Sequence, residues 1–505
     1  MIQHLIILPV LVHLITGTVN LFFWGKPQPQ RVMSLLGTFT AMLIAFALFN
    51  QVRSEGVMVM HAANWKAPFG ISFVADTFSS SMVLFTSFAG FAVSLFSAAG
   101  ISAVRAQYAF YPIFHFLLMG LNGAFLTGDL FNLYVWFEVI IMASFVLITL
   151  GGSKAQMEGG VKYVSLNLLA SVIFLTAIAI VYGLTGTLNL ADLAITLPNI
   201  KNQGLINITA LLFFIGFGIK SAVFPLYFWL PSSYHTPPSA VAAIFAGLLT
   251  KVGVYAMLRM FTLLFHPDDF MTAIILIISL GTMLTGALGA IIKTDLKRMF
   301  SYLIICHIGY MVGGLALFTQ AALGGAVFYL FHDMMIKTNL FLIAGVIKKI
   351  RGTTNMPKLG GLYHSYPKFA LLVAIVIFSL AGTPPLSGFW PKIYLFQAGF
   401  ANTSWASNYY VIGLIFSSLI TLYVLAKMWK DVFWKKQPDT QIHVPDHFQP
   451  LSFMKKLSLI LPIVFLASIT LYIGLDAERV LTVANDIAKE MLNPKPYIKA
   501  VLGHL

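Results

Sequence analysis

Apolar runs of about 20 residues, the length a helix needs to cross a bilayer, recur about fourteen times along this chain. They fall near residues 3–24, 32–52, 75–98, 108–127, 129–150, 161–184, 206–230, 238–264, 270–292, 298–318, 322–348, 369–400, 408–430 and 456–475. Turn or charge signals punctuate them, among them Lys26-Pro27-Gln28-Pro29, Gly151-Gly152, Pro237-Pro238 and Lys348-Lys349-Ile350-Arg351-Gly352. The pattern predicts an all-α polytopic membrane protein. Residues 2–24 lack a basic leader and a convincing small-residue cleavage site, so they read as the first membrane helix.

Composition sharpens this picture. The 505 residues are 59% hydrophobic and only 10% charged, against about 25% charged in soluble domains. Such a chain cannot cover a water-facing surface with polar groups. An ordinary cytosolic enzyme, a nucleic-acid binder and a disordered scaffold are thereby excluded. The net charge of +14 reads as positive-inside bias and lipid headgroup contact rather than affinity for nucleic acid. The one cysteine, Cys306, excludes an internal disulfide and cysteine-ligated iron–sulfur or zinc sites within the chain.

Four regions follow. Residues 1–107 form an N-terminal three-helix region, 108–265 and 266–430 are two five-helix units, and 431–505 hold the last spanning helix and a tail. The longest polar connections, about 349–368 and 434–455, are too short to bury a core of their own. The tail carries Val480, Val483, Ala484, Ile487 and Met491 at helical spacing, as a helix lying on the membrane surface would; a solvated tail is the alternative. Loops after odd-numbered helices hold roughly 18 Lys and Arg, and those after even-numbered helices about 4. The odd loops are therefore expected in the cytoplasm, with both termini outside a prokaryotic plasma membrane.

Two spans are interrupted. Lys220 precedes Phe224-Pro225 in the seventh, and Ala381-Gly382-Thr383-Pro384-Pro385 breaks the twelfth ahead of Pro391-Lys392. Proline removes a backbone donor and clashes with the preceding turn. In lipid the freed carbonyls must find neighbours or water, so breaks mark cavity-lining sites. The breaks at Pro225 and at Pro384 and Pro385 lie five helices apart. That offset predicts five-helix repeats, helices 4–8 and 9–13, in opposite orientation, each with one broken helix.

Ionisable residues at membrane depth carry the chemistry. Glu138 lies roughly 14 Å into its helix at 1.5 Å per residue. Lys220, Lys251, Lys337 and Lys392 also sit mid-span. Each costs about 2.5–3.5 kcal/mol to insert, so they must face a polar interior. A buried lysine beside a carboxylate takes up or releases a proton as that carboxylate is neutralised, which is what a proton relay needs. Asp333 and Lys337 share a helix face at i and i+4, as a structural pair or as relay members. His332, His307 and His235 titrate in a suitable range, although a membrane histidine is as often a packing residue; His115 reads as packing. Gly309-x-x-x-Gly313 permits close helix approach. Asp76, Asp129, Asp192, Asp268 and Asp295 stand near helix ends, where solvated caps are the default. No phosphate-binding loop or dinucleotide fingerprint is present, no cysteine cluster could carry electrons, and no histidine spacing recommends a haem although the histidine count allows one; no cofactor and no metal site is expected.

The motifs resemble a known family. The stretch Leu126-Thr127-Gly128-Asp129-Leu130-Phe131-Asn132-Leu133-Tyr134-Val135-Trp136-Phe137-Glu138 resembles a helix of the antiporter-like subunits of respiratory complex I, membrane-bound hydrogenases and Mrp multisubunit sodium/proton antiporters. Lys220 through Pro225, His235-Thr236-Pro237-Pro238-Ser239-Ala240, Lys293 through Tyr302, and Gly388-Phe389-Trp390-Pro391-Lys392 are similar to further motifs of that superfamily. The likeness covers essentially the whole chain and looks strongest to the D subunits of Mrp antiporters, including Lys at position 392. Cys306 stands where many relatives have serine.

The resemblance implies that Glu138, Lys220, Lys251 and Lys392 carry protons along a hydrated axis, with His332 and Lys337 between the halves. It also implies work within a complex of membrane subunits, exchanging protons for Na+ and contacting lipid. A proton-pumping subunit of a redox-driven complex is the alternative, and a membrane scaffold with structural charge pairs is a third reading.

Overall fold

The structure is a computed structural model; it describes residues 2–401, 404–438 and 445–503. Part of the expected 434–455 connection, residues 439–444, lies outside the described residues. Helix α1 (Leu8–Phe22) and α2 (Pro27–Glu55) are followed by a small hairpin, β1 (Met58–His61) paired antiparallel with β2 (Ser72–Ala75). Next come α3 (Thr77–Gly100), α4 (Phe110–Leu126), α5 (Leu130–Thr149) and α6 (Lys154–Thr185). The first interrupted span is α7 (Gln203–Ser221) and α8 (Trp229–Ser233). Beyond it lie α9 (Ser239–Leu263), α10 (Asp269–Ile292), α11 (Leu296–Leu317) and α12 (Gln320–Arg351). The second interrupted span is α13 (Pro367–Ala381) and α14 (Phe389–Ala401). The chain ends with α15 (Trp405–Trp434), α16 (Phe453–Leu475), α17 (Ala477–Leu492) and α18 (Lys495–Leu502).

Among the described residues, eleven helices are long and apolar enough to cross a membrane, and α1, α4 and α13 are shorter apolar helices. The fold is thus all-α and polytopic, as the apolar runs predict. The hairpin is the departure. Its strands are four residues each, too short for a period-two signal to stand out from the flanking helices.

Burial separates the helices into two sets. The most apolar windows of α9 and α12 are wholly buried within the protein, and that of α11 nearly so, whereas α6 and α10 bury less than half of theirs. The outer helices expose large apolar side chains, such as Ile277 at 61% and Leu419 at 61%. In water that surface would be unfavourable; in lipid it is the ordinary exterior.

Small residues let the inner helices close up. A Cβ on Gly309 would stand 2.6 Å from Met283 Cγ and 2.9 Å from Ser279 O, and one on Gly313 would stand 2.6 Å from Ser279 Oγ. Ser279 Oγ donates to Gly309 O at 2.8 Å. The Gly309–Gly313 stripe therefore seats α11 on α10. Gly247 does the same for α9 on α12: a Cβ there would collide with Thr338 Oγ1 and lie 3.0 Å from Met334 O.

Four of the five aspartates expected at helix ends are caps. Asp76, Asp129, Asp268 and Asp295 each accept a backbone N–H of the following helix; Asp192 sits in the first turn of a short helix that Asn189 caps. Asp76 is not solvated, however. It is 3% exposed and ion-paired. Two caps also anchor matching loops: Asp129 bridges Asn189, and Asp295 bridges Asn355 at the same separation. The apolar stripe of α17 is buried through Ala484, Ile487, Ala488 and Met491, and α17 packs on α12.

Gly247→Ala should destabilise the α9–α12 seam by about 1–3 kcal/mol through overpacking, read as a lower melting temperature of the purified complex. Adding Thr338→Ala should restore most of the loss. An unchanged melt for the single variant would show that the seam does not need this close approach.

Candidate functional site

The three buried helices bring together four of the ionisable residues expected at membrane depth. α9 supplies Lys251, α11 supplies His307, and α12 supplies Asp333 and Lys337. All four are 0% exposed. Lys251 Nζ lies 2.7 Å from Asp333 Oδ2, Lys337 Nζ lies 3.6 Å from Asp333 Oδ1, and His307 Nδ1 lies 3.5 Å from the same oxygen. Lys337 Nζ also stands 3.0 Å from His307 Nδ1 and donates to Leu303 O at 3.2 Å. One carboxylate thus serves two lysines. The spacing in the sequence points to Lys337 as the partner of Asp333; the fold places Lys251, from another helix, closer.

Lys251 depends on a local irregularity. Residues Phe245–Leu249 form a π-helical turn inside α9. Lys251 Nζ donates to Ala246 O, within that turn, at 2.7 Å. π-turns often mark functional sites because they expose a carbonyl and shift the helix face. Nothing in the spacing of the sequence marks this turn.

The two breaks flank this centre and solve the same problem differently. α7 ends on Ala222 in the left-handed region, φ +60°, and α13 ends on Gly382 at φ +87°. At the first break the indole of Trp229 donates to Ile219 O at 3.0 Å, and the Phe224 N–H donates to Thr282 Oγ1 at 2.9 Å. At the second, Lys392 itself donates to Ala381 O at 2.9 Å. Pro225, Pro384 and Pro385 lie in the non-helical segments between the half-helices.

Lys220 occupies the penultimate position of α7. Its Nζ donates to Ser171 Oγ at 3.2 Å and stands 4.7 Å from the centre of the Phe137 ring. Glu138 follows that phenylalanine on α5. Glu138 Oε1 is buried without a protein partner. A Cβ on Gly253 would collide with Ser221 Oγ and lie 3.2 Å from the Lys220 carbonyl carbon, so α9 backs directly onto the end of α7 just past Lys251.

His332 faces the other way from its neighbour Asp333. Its Nδ1 lies 2.8 Å from Ser387 Oγ, which lies 2.8 Å from Ser379 Oγ, at the second break. His332 Nε2 and His307 Nε2 are buried without a protein partner. His235 stands apart, in the connection between α8 and α9. Arg298 Nη2 donates to its Nε2 at 3.0 Å, so its Nδ1–H donates to Pro231 O at 3.0 Å. Burial and the Arg298 charge hold this imidazole below its ordinary pKa. Cys306 is buried, with Tyr310 Oη 3.9 Å from its sulfur. His115 pairs with His13 at 3.0 Å, away from this row.

Comparison with known proteins establishes the family and the fold. Residues 127–421 match the family described as NADH:quinone oxidoreductase/Mrp antiporter, TM. The chain belongs to this family. It is 43% identical over 502 residues to the D subunit of the Na(+)/H(+) antiporter of Alkalihalophilus pseudofirmus, covering 99% of each chain. It is 36% identical over 501 residues to the D subunit of the Na(+)/H(+) antiporter of Bacillus subtilis, again covering 99% of each. Among solved structures it resembles a chain of the Mrp complex from Dietzia sp. DQ12-45-1b, with a TM-score of 0.90, 29% identity and 99% coverage of both chains. A chain of an archaeal membrane-bound sulfane sulfur reductase shares the fold, with a TM-score of 0.86 at 24% identity.

Two buried basic residues escape a reading of spacing alone. Lys297, in the first turn of α11, is 5% exposed and donates to Pro237 O at 2.9 Å. Arg259, near the end of α9, pairs with Asp76 at 2.6 Å. Both stand close to span ends, where basic residues ordinarily reach the interface.

Removing one member of a buried ion pair leaves an uncompensated charge, at a cost of about 3–5 kcal/mol. Asp333→Leu should therefore lower the melting temperature and yield of the complex sharply. Lys251→Met combined with Asp333→Leu should be the more stable of the two. A double variant as damaged as the single one would show that Lys251 is not the main partner of Asp333.

Proposed function

We propose that this chain is the D subunit of an Mrp-type multisubunit monovalent cation/proton antiporter, a transporter subunit that moves protons against Na+ across a multi-pass membrane assembly. Full-length similarity to antiporter D subunits and to a chain of an Mrp complex supports this reading. The observation that carries it is the Lys251–Asp333–Lys337 group in the centre of the protein.

A single carboxylate can neutralise one lysine fully. When Asp333 pairs with Lys251, Lys337 is the weaker-held cation and the readier proton donor. A shift of the carboxylate toward Lys337 reverses the preference. His307 offers a lone pair at Nδ1 beside Lys337. Protons enter this centre from Glu138 and Lys220 on one side, and His332 and Lys392 serve the other. Buried polar atoms without protein partners at Glu138, His307 and His332 are the groups that water would satisfy along such an axis.

In this reading the eleven long spans and three shorter apolar helices all cross the membrane, and both termini lie outside. Counting α7 with α8 and α13 with α14 as one broken span each, the five spans from α4 to α9 and the five from α10 to α15 form two inverted repeats. The paired Asp–Asn bridges, the two 32-residue helices α6 and α12 and one broken span in each set support that arrangement. The chain works beside other subunits of its complex.

Everted vesicles from an antiporter-deficient host expressing the whole gene cluster test this function. A sodium pulse should collapse the pH gradient with wild type. Lys220→Ala at matched complex content should abolish the response. Normal exchange by that variant in a correctly assembled complex would sink the relay; no sodium response in wild type would sink the exchange activity.

A further inference from the structure

Arg259 lies two turns beyond Lys251 on α9, with Tyr255 between them on the same face. Its guanidinium grips Asp76 with both ends of the fork, Nη1 at 2.6 Å from Oδ2 and Nη2 at 2.8 Å from Oδ1. Nη2 also donates to Tyr255 Oη at 3.3 Å, and Tyr255 donates to Phe125 O at 2.8 Å. Asp76 further accepts the Ser79 N–H at 2.8 Å. That carboxylate is fully matched in charge and in hydrogen bonds.

A second carboxyl completes the group, from the tail. Glu490, on α17, accepts Thr77 Oγ1–H at 2.6 Å through Oε1. Its Oε2 is buried without a protein partner. Asp76, Arg259, Glu490 and Tyr497 border a cavity of about 20 Å³, space for about one water. A single guanidinium cannot neutralise two carboxylates, and a second buried charge is costly. Burial and the nearby Asp76 charge push Glu490 up to about 7, so it exchanges a proton near neutrality. The other charges on α17 in this region, Asp486 and Lys489, pair with Arg53 and with each other on an exposed face. Tyr255 and Tyr497 are the remaining titratable groups that face the pair.

We propose that Glu490 is the proton-exchanging carboxyl at the hairpin-side end of the buried axis. It binds a proton from water at that face and releases it to water in the cavity beside Arg259. In its ionised form it shares Arg259 with Asp76. This rests on the proton-path reading above. It gives the C-terminal helix a place in transport rather than a purely covering role.

The test uses the whole complex, assayed for sodium-driven proton exchange across pH, with infrared titration of the purified protein. Glu490→Gln, which mimics the protonated form, should assemble normally, slow exchange about tenfold or more and flatten its pH dependence between about pH 6 and 8. Glu490→Asp should restore part of the pH-dependent activity. The protonated-carboxyl band lost on raising pH through this range should be missing in Glu490→Gln and present in Lys220→Ala. Asp486→Asn controls for docking of the tail. Wild-type exchange in Glu490→Gln, an equal loss in Asp486→Asn, or an unchanged infrared titration in Glu490→Gln would each overturn the proposal. Failure of the relay reading shows separately, as normal exchange in Lys220→Ala, and the infrared arm stands whichever way exchange turns out.

Discussion

One carboxylate held between two lysines governs this protein. Asp333 sits 2.7 Å from Lys251 and 3.6 Å from Lys337, with all three fully buried. Charges at such depth are tolerated only when paired. The pairing constrains the packing around it. α9 must approach α12 closely, which Gly247 allows, and a π-turn must present Ala246 O to Lys251. The same imbalance, two cations to one anion, is what the proposed proton relay uses.

The interrupted spans follow from the same demand that buried polar groups find partners. A helix that stops inside the protein leaves carbonyls without partners. Trp229 takes one at the first break and Lys392 takes one at the second. Lys392 is thereby both a structural donor and a functional candidate, whereas Lys220 is held by the neutral Ser171 hydroxyl and the Phe137 ring. Two lysines that look equivalent in the chain occupy unlike environments.

Near the hairpin, the fold joins segments far apart in sequence. Asp76, Arg259 and Glu490 come from the N-terminal third, the middle and the tail. The tail's amphipathic stripe is the reason they meet. Ala484, Ile487, Ala488 and Met491 bury against the protein, which carries the polar face of α17 to the cap of α3.

The sequence by itself determined the all-α membrane class, the approximate place of the long apolar helices, with the start of α6 at Lys154 missed by seven residues, both breaks, and the identity of the buried charges. These are legible because lipid imposes span length and penalises every unpaired charge, and both constraints act locally along the chain. Family membership was legible too, through motifs around Glu138, Lys220 and Lys392. Partnership was not. Spacing links Asp333 to Lys337 on one helix face, but the closer lysine belongs to α9. Spacing makes Asp76 a solvated cap, but Arg259 from a distant helix buries it. The four-residue strands and the π-turn also escaped. Which charges meet depends on helix rotation and approach, set by side-chain packing between helices remote in sequence, and only the tertiary structure decides that.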